Sequence, residues 1–250
     1  MKKVSIFAFF LFFINQNITF AATDAPSIPG IPFNTGALGD LNNQSLSLTL
    51  LLLLTVLSVA PSIILLMTSF TRVAIVLSFV RTSLGTQQMP PNQVIIGLSL
   101  FLTFFIMGPT FQQINDQALQ PYLKGSISQQ EAYSKTTAPI KEFMAKQTRQ
   151  KDLNLFLEYS HAGTYKTVQD IPLRALVPSF VMSELTTAFQ MGFLLFIPFL
   201  VIDMIVASIL MAMGMMMVPP SLISLPFKIL LFILVDGWHL VVQSLFVSFT

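Results

Sequence analysis

Long hydrophobic segments, separated by shorter polar ones, dominate the pattern along this 250-residue chain. Four such segments follow residue 45: 46–67, 94–111, 187–218 and 221–250. The first two hold 22 and 18 uncharged residues, the third has Asp203 as its single charge, and the fourth carries Lys228 and Asp236. A helix of about 20 apolar residues crosses a bilayer, and the alternation of a β-barrel is not evident. The pattern predicts an all-α membrane protein with four hydrophobic helical segments in two hairpins, 46–111 and 187–250.

The first 45 residues predict an export signal followed by an irregular leader. A basic start, an apolar run of 11 residues and small residues near Ala21 are typical of a secretory signal peptide, residues 1–21, cleaved after Ala21. An uncleaved membrane anchor is the alternative, but 11 residues are few for a span of about 30 Å. Residues 22–45 are rich in proline, glycine and asparagine, which favours a leader without regular structure.

The charges of the loops predict the orientation of the segments. Residues 68–93 contain Arg72 and Arg81 and no acidic residue, so the positive-inside rule places this loop in the cytoplasm. That orientation agrees with an exported N-terminus. Residues 112–186 carry eight basic and seven acidic residues, a balance that a translocated segment tolerates. We therefore expect residues 112–186 to form a periplasmic helical domain.

Two short helices are predicted within this domain. Ser128 and Glu131 have the spacing of an N-terminal capping box, and Pro139 suits the first turn of the next helix. Apolar residues with helical spacing follow in two stripes: Ile140, Phe143 and Met144, and then Leu153, Phe156 and Leu157.

The two apolar stripes have two possible roles. They close a small local core, or they pack against copies of the chain, because a region of this size buries little surface alone. The sequence does not separate the two. We expect subunit contacts at Phe143, Phe156 and Glu184, the last being the carboxylate before the third hydrophobic segment.

The composition excludes most enzymes and nucleic-acid-binding proteins. Only 10% of the residues are charged and the mean hydropathy is +0.74, whereas soluble domains carry about 25% charged residues. Thirteen basic residues against 11 acidic ones leave no basic surface for nucleic acid. The chain has no cysteine and two histidines, and it lacks hydrolase, metalloprotease and phosphate-loop motifs. Neither catalysis nor a metal or other cofactor is predicted.

Asp203 and Lys228 are predicted to form an intramembrane ion pair, because a charge in hydrocarbon is costly and is normally paired. If the turn at residues 219–220 joins straight antiparallel helices, the two side chains differ in height by about 12 Å. A direct pair then needs a bend near Gly214 or a partner from a neighbouring subunit. Structural pairing is one interpretation, and proton or ion handling is the other.

Residues 211–220, here called the methionine loop, hold five of the 13 methionines within seven positions. We expect Gly214 to loosen the preceding helix and the two prolines at the end of the loop to stop it. Methionine is unbranched and polarizable, so a cluster of methionines can repack around different shapes. Core filling is the more common role of methionine, but consecutive residues in a turn do not follow one helical face. The favoured interpretation is an adaptable apolar seal.

Several stretches resemble a single family over essentially the whole chain after the signal peptide. They are 67–72 (MTSFTR), 84–93 (LGTQQMPPNQ), 178–185 (PSFVMSEL), the methionine loop, 225–228 (LPFK) and 235–238 (VDGW). In these residues the chain closely resembles the FliP/SctR family, the flagellar type III export-gate proteins and their injectisome homologues.

The resemblance implies a non-enzymatic, pore-forming subunit of the gate that exports flagellar rod, hook and filament proteins. It implies a homo-oligomer, a pentamer, in the bacterial inner membrane within the flagellar basal body. The implied partners are FliQ, FliR and FlhB, unfolded export substrates and membrane lipid. The family's gasket across the pore corresponds here to Met213, Met215, Met216 and Met217. In the assembled gate the hairpins form a cone raised out of the bilayer, so four spans describe the inserted monomer.

Two alternatives stay open at this point. One is the homologous gate subunit of a virulence injectisome, although the signal peptide and Phe227 favour the flagellar branch. The other is an ion-coupled secondary transporter that uses Asp203 and Asp236. Transporter folds commonly show an internal repeat with two broken helices in matching positions, and no such duplication is evident here.

Overall fold

The computed structural model describes residues 44–86, 88–160, 165–215 and 217–249. The predicted signal peptide and nearly all of the predicted leader lie outside these residues. The chain divides into two units between residues 56 and 57. The described part of the first unit, residues 44–56, is helical.

Helices account for almost all of the described residues, and the predicted all-α class is confirmed. The helices are α1 Gln44–Leu66, α2 Phe70–Leu84, α3 Asn92–Ile114, α4 Gln120–Leu123, α5 Gln129–Gln147, α6 Gln150–Tyr159, α7 Leu173–Ala212, α8 Pro220–Leu234 and α9 Gly237–Val247. A π-helical turn, Asn115–Leu119, continues α3 into α4, and a 3-10 turn, Val168–Asp170, precedes α7.

Two helices among the described residues are long and apolar enough to cross a membrane. One is Asn92–Leu123, which comprises α3, the π-helical turn and α4, and the other is α7. Helices α8 and α9 meet the same criterion together, as one segment bent by 63°. Helix α1 contains a shorter apolar stretch, Leu50–Val59. The structure therefore supports two or three membrane-crossing helices, where the sequence pattern predicts four.

Helix α2 lies at the centre of the larger hydrophobic core. Its buried apolar residues recur every three or four positions along one face: Val73, Val76, Leu77, Val80 and Leu84. Helices α3, α7, α8 and α9 contribute the rest: Ile95, Leu102, Ala188, Phe199, Phe232, Val241 and Leu245. At Gly192 of α7, an added Cβ would lie 2.5 Å from Cγ of Phe79. Helices α2 and α7 thus approach so closely at this point that a side chain has no room.

A second hydrophobic core joins α5, α6 and the start of α7. Its buried members are Met144, Leu153, Ile171, Leu176 and Phe180. Ile140, Phe143 and Leu157 pack against them, so the two predicted stripes contribute to a local core, with α7 supplying additional apolar surface. The predicted domain borders, after residues 111 and 186, fall inside the continuous helices α3 and α7. The division into domains stays a prediction.

Helix α5 begins at the predicted capping box. Ser128 Oγ accepts a hydrogen bond from the Glu131 N–H at 3.3 Å, and the Ser128 N–H donates to the Glu131 carboxylate at 3.0 Å. This prediction is confirmed. The predicted helix start at Pro139 is wrong, because Pro139 lies inside α5. Proline deprives the carbonyl of Lys135 of its helical donor, and Lys135 is exposed to water.

Gly214 ends helix α7 through its left-handed conformation. Its φ is +75°. The Gly214 N–H donates to the Met211 carbonyl and the Met215 N–H donates to the Leu210 carbonyl, each at 3.0 Å. These two bonds form a Schellman motif, which glycine can close without a steric penalty. Gly214 therefore defines a sharp helix end rather than a loosened one.

The bend between α8 and α9 is built from a left-handed residue and a closely packed ring. Asp236 has a φ of +49° and precedes α9. An added Cβ on Gly237 would lie 2.2 Å from the Phe232 ring, and that ring meets Trp238 edge-to-face with 5.3 Å between centroids. The ring fills the space that the glycine leaves, which fixes the direction in which α9 departs.

Candidate functional site

Three described methionines of the methionine loop lie in the turn between α7 and α8. Met213, Met215 and Met217 are 60%, 44% and 97% exposed, so none of them fills the core of the chain. Met216 lies outside the described residues. A cluster of exposed, large apolar side chains typically marks a surface that contacts lipid or other protein chains. The loop therefore has the exposure that an apolar seal requires.

A polar cluster joins α7, α8 and α2 below this tip. Lys228 Nζ lies 2.6 Å from Asp203 Oδ2 and donates to the carbonyl oxygen of Ser83 at 3.2 Å. Ser224 Oγ donates to the other carboxylate oxygen, Asp203 Oδ1, at 2.5 Å. The side chain of Lys228 is 5% exposed and that of Asp203 is 33% exposed. The lysine thus has all its charge partners inside the protein, whereas the aspartate keeps one side open.

The turn between the helices explains why the two charges meet although the sequence estimate separates them. Helix α7 ends at Ala212, nine residues after Asp203, and α8 begins at Pro220, eight residues before Lys228. The estimate of about 12 Å treated residues 213–219 as helix, but they form the turn. Pro219 is the N-cap of α8 and Pro220 its first residue. The prolines therefore begin the second helix, a favoured position for proline, and do not stop the first.

Glu184 pairs with Arg72, a partner that the sequence reasoning did not identify. Arg72 Nε donates to Glu184 Oε2 at 2.9 Å and Arg72 Nη2 donates to Oε1. The two side chains are 2% and 0% exposed. The available signal was that each is an isolated charge beside long apolar stretches, where charges are normally paired. The expected place of Glu184 at a subunit contact stays a prediction.

Phe143 and Phe156 are both half-buried in the chain. The Phe143 ring lies 5.9 Å from that of Phe180 and 6.2 Å from that of Phe249, measured between centroids. Part of each of these two side chains remains at the surface, and their role between subunits stays a prediction.

The described residues offer no arrangement for bond-making chemistry. No group of three or more histidine, cysteine, aspartate or glutamate side chains is placed to hold a metal ion within the described ranges. Asp236 and His239 are exposed near the bend. The arrangement instead presents an apolar tip on a hairpin whose arms are held by buried charges. This combination of long apolar helices, internal ion pairs and an exposed methionine tip is typical of a helical membrane protein.

Comparison with known proteins identifies the family. The FliP family model matches residues 53–245. The flagellar biosynthetic protein FliP of Bacillus subtilis is 65% identical over 84% of this chain and 95% of its own length. FliP of Aquifex aeolicus is 54% identical over 81% of this chain and 86% of its own length. FliP of Borreliella burgdorferi is 45% identical over 97% and 98%, respectively.

The chain belongs to the FliP family, so the resemblance inferred from its motifs is confirmed. It is a component of the flagellar export apparatus and not an enzyme. The relatives named above are flagellar proteins, which favours the flagellar branch over the injectisome alternative.

Proposed function

We propose that this chain is a pore-forming subunit of the flagellar export gate, and that its methionine loop is the closing element of the pore. The observation that carries the proposal is the exposure of Met213, Met215 and Met217 at the tip of the α7–α8 hairpin. Burying large apolar side chains is favourable by roughly 25 cal/mol per Å². Their exposure in one chain is therefore accounted for if copies of the loop meet one another across a lumen.

Methionine suits a seal that must open for varied cargo. An export channel passes unfolded chains with every kind of side chain and must block ions when it is idle. Unbranched thioethers repack around whatever occupies the opening, whereas β-branched side chains are stiff at χ1. A narrow apolar ring also resists ions, because hydrophobic constrictions gate by dewetting. Met216 completes the proposed set with the three described methionines.

The exposed apolar faces of the long helices support assembly into an oligomer. Large side chains are exposed along α3 and α7: Phe101, Phe104, Phe105, Phe189, Phe193, Leu194, Met204 and Ile205. Patches of this kind mark contacts with lipid or protein. We propose a homo-oligomer, a pentamer, in the bacterial inner membrane, with FliQ, FliR and FlhB as partners, unfolded flagellar proteins as cargo, and subunit contacts at Phe143 and Phe156.

Asp203 and Lys228 are proposed to hold the two arms of the hairpin rather than to carry ions. Both carboxylate oxygens of Asp203 accept hydrogen bonds, one from Lys228 and one from Ser224. A proton relay would need to break this part-buried pair at each step and leave the Lys228 ammonium without its counter-charge. The pair therefore supports a structural role, and it gives no support to the transporter alternative.

Replacing Met215, Met216 and Met217 with alanine tests the seal. We expect the triple variant to assemble and to export, but to leak ions, because alanine cannot fill the space that the thioethers fill. Conductance across membranes that contain the gate measures the leak. Met182 and Met204 are exposed methionines of α7 away from the loop, so the double variant Met182→Ala/Met204→Ala is the matched control. A triple variant that assembles, exports and stays sealed would refute the closing role.

A further inference from the structure

Arg72 has more partners than an ion pair requires. On one side its Nε and Nη2 atoms donate to both carboxylate oxygens of Glu184 in α7. On the other side its Nη1 atom donates to the carbonyl oxygen of Ser248 at 2.7 Å and to Ser248 Oγ at 3.1 Å. The Nη2 atom also donates to Gln147 Oε1 at 3.0 Å. These contacts match the five N–H groups that a guanidinium carries.

The segment after α9 is held a second time by aromatic and amide contacts. The ring of Phe249 lies against the guanidinium, with 3.9 Å from the ring centroid to Cζ of Arg72, and a cation over an aromatic face is attracted to it. Gln147 Nε2 donates to the carbonyl oxygen of Phe249 at 3.3 Å. Residues 248–249 are thus tied to α2 through Arg72 and to α5 through Gln147.

We propose that Arg72 is the basal clamp of the hairpin that carries the methionine loop. Glu184 lies on the first arm, α7, 28 residues before that helix ends at Ala212. Ser248 follows the second arm, α8 with α9, and lies 28 residues after that arm begins at Pro220. The Arg72 guanidinium therefore bonds both arms, at the same number of residues from the turn between them. Asp203 and Lys228 tie the same arms closer to the tip.

A clamp of this kind supplies what apolar packing between the arms cannot. Two apolar helices in a membrane gain little free energy from one register relative to another, because lipid tails are as apolar as leucine. Hydrogen bonds from a planar, five-donor group are directional and fix both distance and angle. Arg72 thereby sets the spacing of the arms, and through it the position of the methionine loop. This consequence for the seal rests on the proposed function, whereas the clamp itself does not.

Spin labels on the two arms test the clamp directly. The chain has no cysteine, so a Leu194→Cys/Gln243→Cys double variant carries labels only at these two exposed positions of α7 and α9. Pulsed dipolar spectroscopy on the purified full-length chain in detergent, with labelled protein diluted into unlabelled protein, measures the spacing within one chain. We expect one narrow distance when Arg72 is present.

Arg72→Lys keeps the positive charge but loses the fork of donors, so the narrow distance peak should be lost and the distribution should broaden. The matched control is Arg81→Lys on the same helix. Arg81 bonds Asn92 and the carbonyl of Pro90 and is hydrogen-bonded to neither arm. The distance peak of the Arg81→Lys variant should be as narrow as that of the protein with Arg72 and Arg81 intact.

Gln147→Leu gives a second, milder test, because it removes the amide that holds both Arg72 and Phe249 without changing a charge. It should also broaden the distribution, and it decides the matter if Arg72→Lys does not purify. An unchanged narrow peak in each purified clamp variant would overturn the proposal. A broadened peak in a gate that stays sealed would uphold the clamp and overturn its proposed consequence for the seal.

Discussion

Removing either partner of the Asp203–Lys228 pair should destabilise the chain, but by unequal amounts. Asp203→Ala leaves the Lys228 ammonium with the Ser83 carbonyl as its remaining partner among the described residues, at 5% exposure. Lys228→Met leaves the Asp203 carboxylate at 33% exposure, with its hydrogen bond from Ser224 intact. The lysine would be stranded in the interior, whereas the aspartate can recruit water on its open side.

The burial of each partner sets the expected magnitudes. An uncompensated buried charge costs about 3–5 kcal/mol, so Asp203→Ala should lie in that range. Lys228→Met should cost about 1–3 kcal/mol, the penalty for hydrogen-bonding groups left without a partner. The double variant should cost less than the sum of the two by about 1–3 kcal/mol, because the stranded charges disappear together. The charge-swapped variant Asp203→Lys/Lys228→Asp should not regain the lost stability, because the new carboxylate at position 228 would face the Ser83 carbonyl oxygen, which is also an acceptor.

Unfolding of the purified chain in detergent, followed with increasing denaturant, measures these differences. Met204→Ala changes the exposed residue next to Asp203 on α7 and controls for surface effects on that helix. A larger loss of stability for Lys228→Met than for Asp203→Ala, or a double variant in which the two losses simply add, would refute the expected coupling.

Two further predictions concern close packing and assembly. Gly192→Ala should destabilise the chain by about 1–3 kcal/mol, since the added Cβ would collide with Phe79. The control is Gly97→Ala on α3, whose added Cβ meets nothing within 4 Å and which should stabilise the helix by up to about 1 kcal/mol. Equal unfolding midpoints for the two variants would contradict the collision. Phe143→Ala and Phe156→Ala should shrink the oligomer on a native gel in detergent, because each removes apolar surface, and an unchanged size in both would remove them from the interface.

Local sequence patterns predicted those parts of the fold that depend on neighbours in the chain. The apolar runs gave the all-α class, and the Ser128–Glu131 spacing gave the start of α5. The helix start predicted at Pro139 was wrong because tertiary packing of Met144 and its neighbours stabilises α5 on both sides of the proline. Glycine and proline at the methionine loop were recognised as important, but their roles depend on backbone conformation, which the sequence shows only as residue type.

The partners of Arg72 could not be predicted because they are far apart along the chain. Glu184, Gln147 and Ser248 lie 112, 75 and 176 residues away from it. No spacing rule connects residues at such separations. The signal that was present, an arginine in a largely apolar helix, indicates that a partner exists but does not say which one. The Asp203–Lys228 pair could be predicted from the sequence because a single turn separates the two helices that carry these residues.

The few charged residues inside the apolar helices therefore share one role, which is to fix how the helices are positioned against one another. Buried ion pairs are weak evidence for stability, since apolar residues of similar volume are often equally stable or better. Their value here lies in specificity. An apolar helix can slide on an apolar neighbour with little loss of contact area, but Lys228 reaches both Asp203 and the Ser83 carbonyl in only one register. Arg72 repeats this constraint at the base, where it joins Glu184 and Ser248. A seal made of adaptable methionines needs a support that does not adapt, and directional charge contacts at two levels of the hairpin provide it.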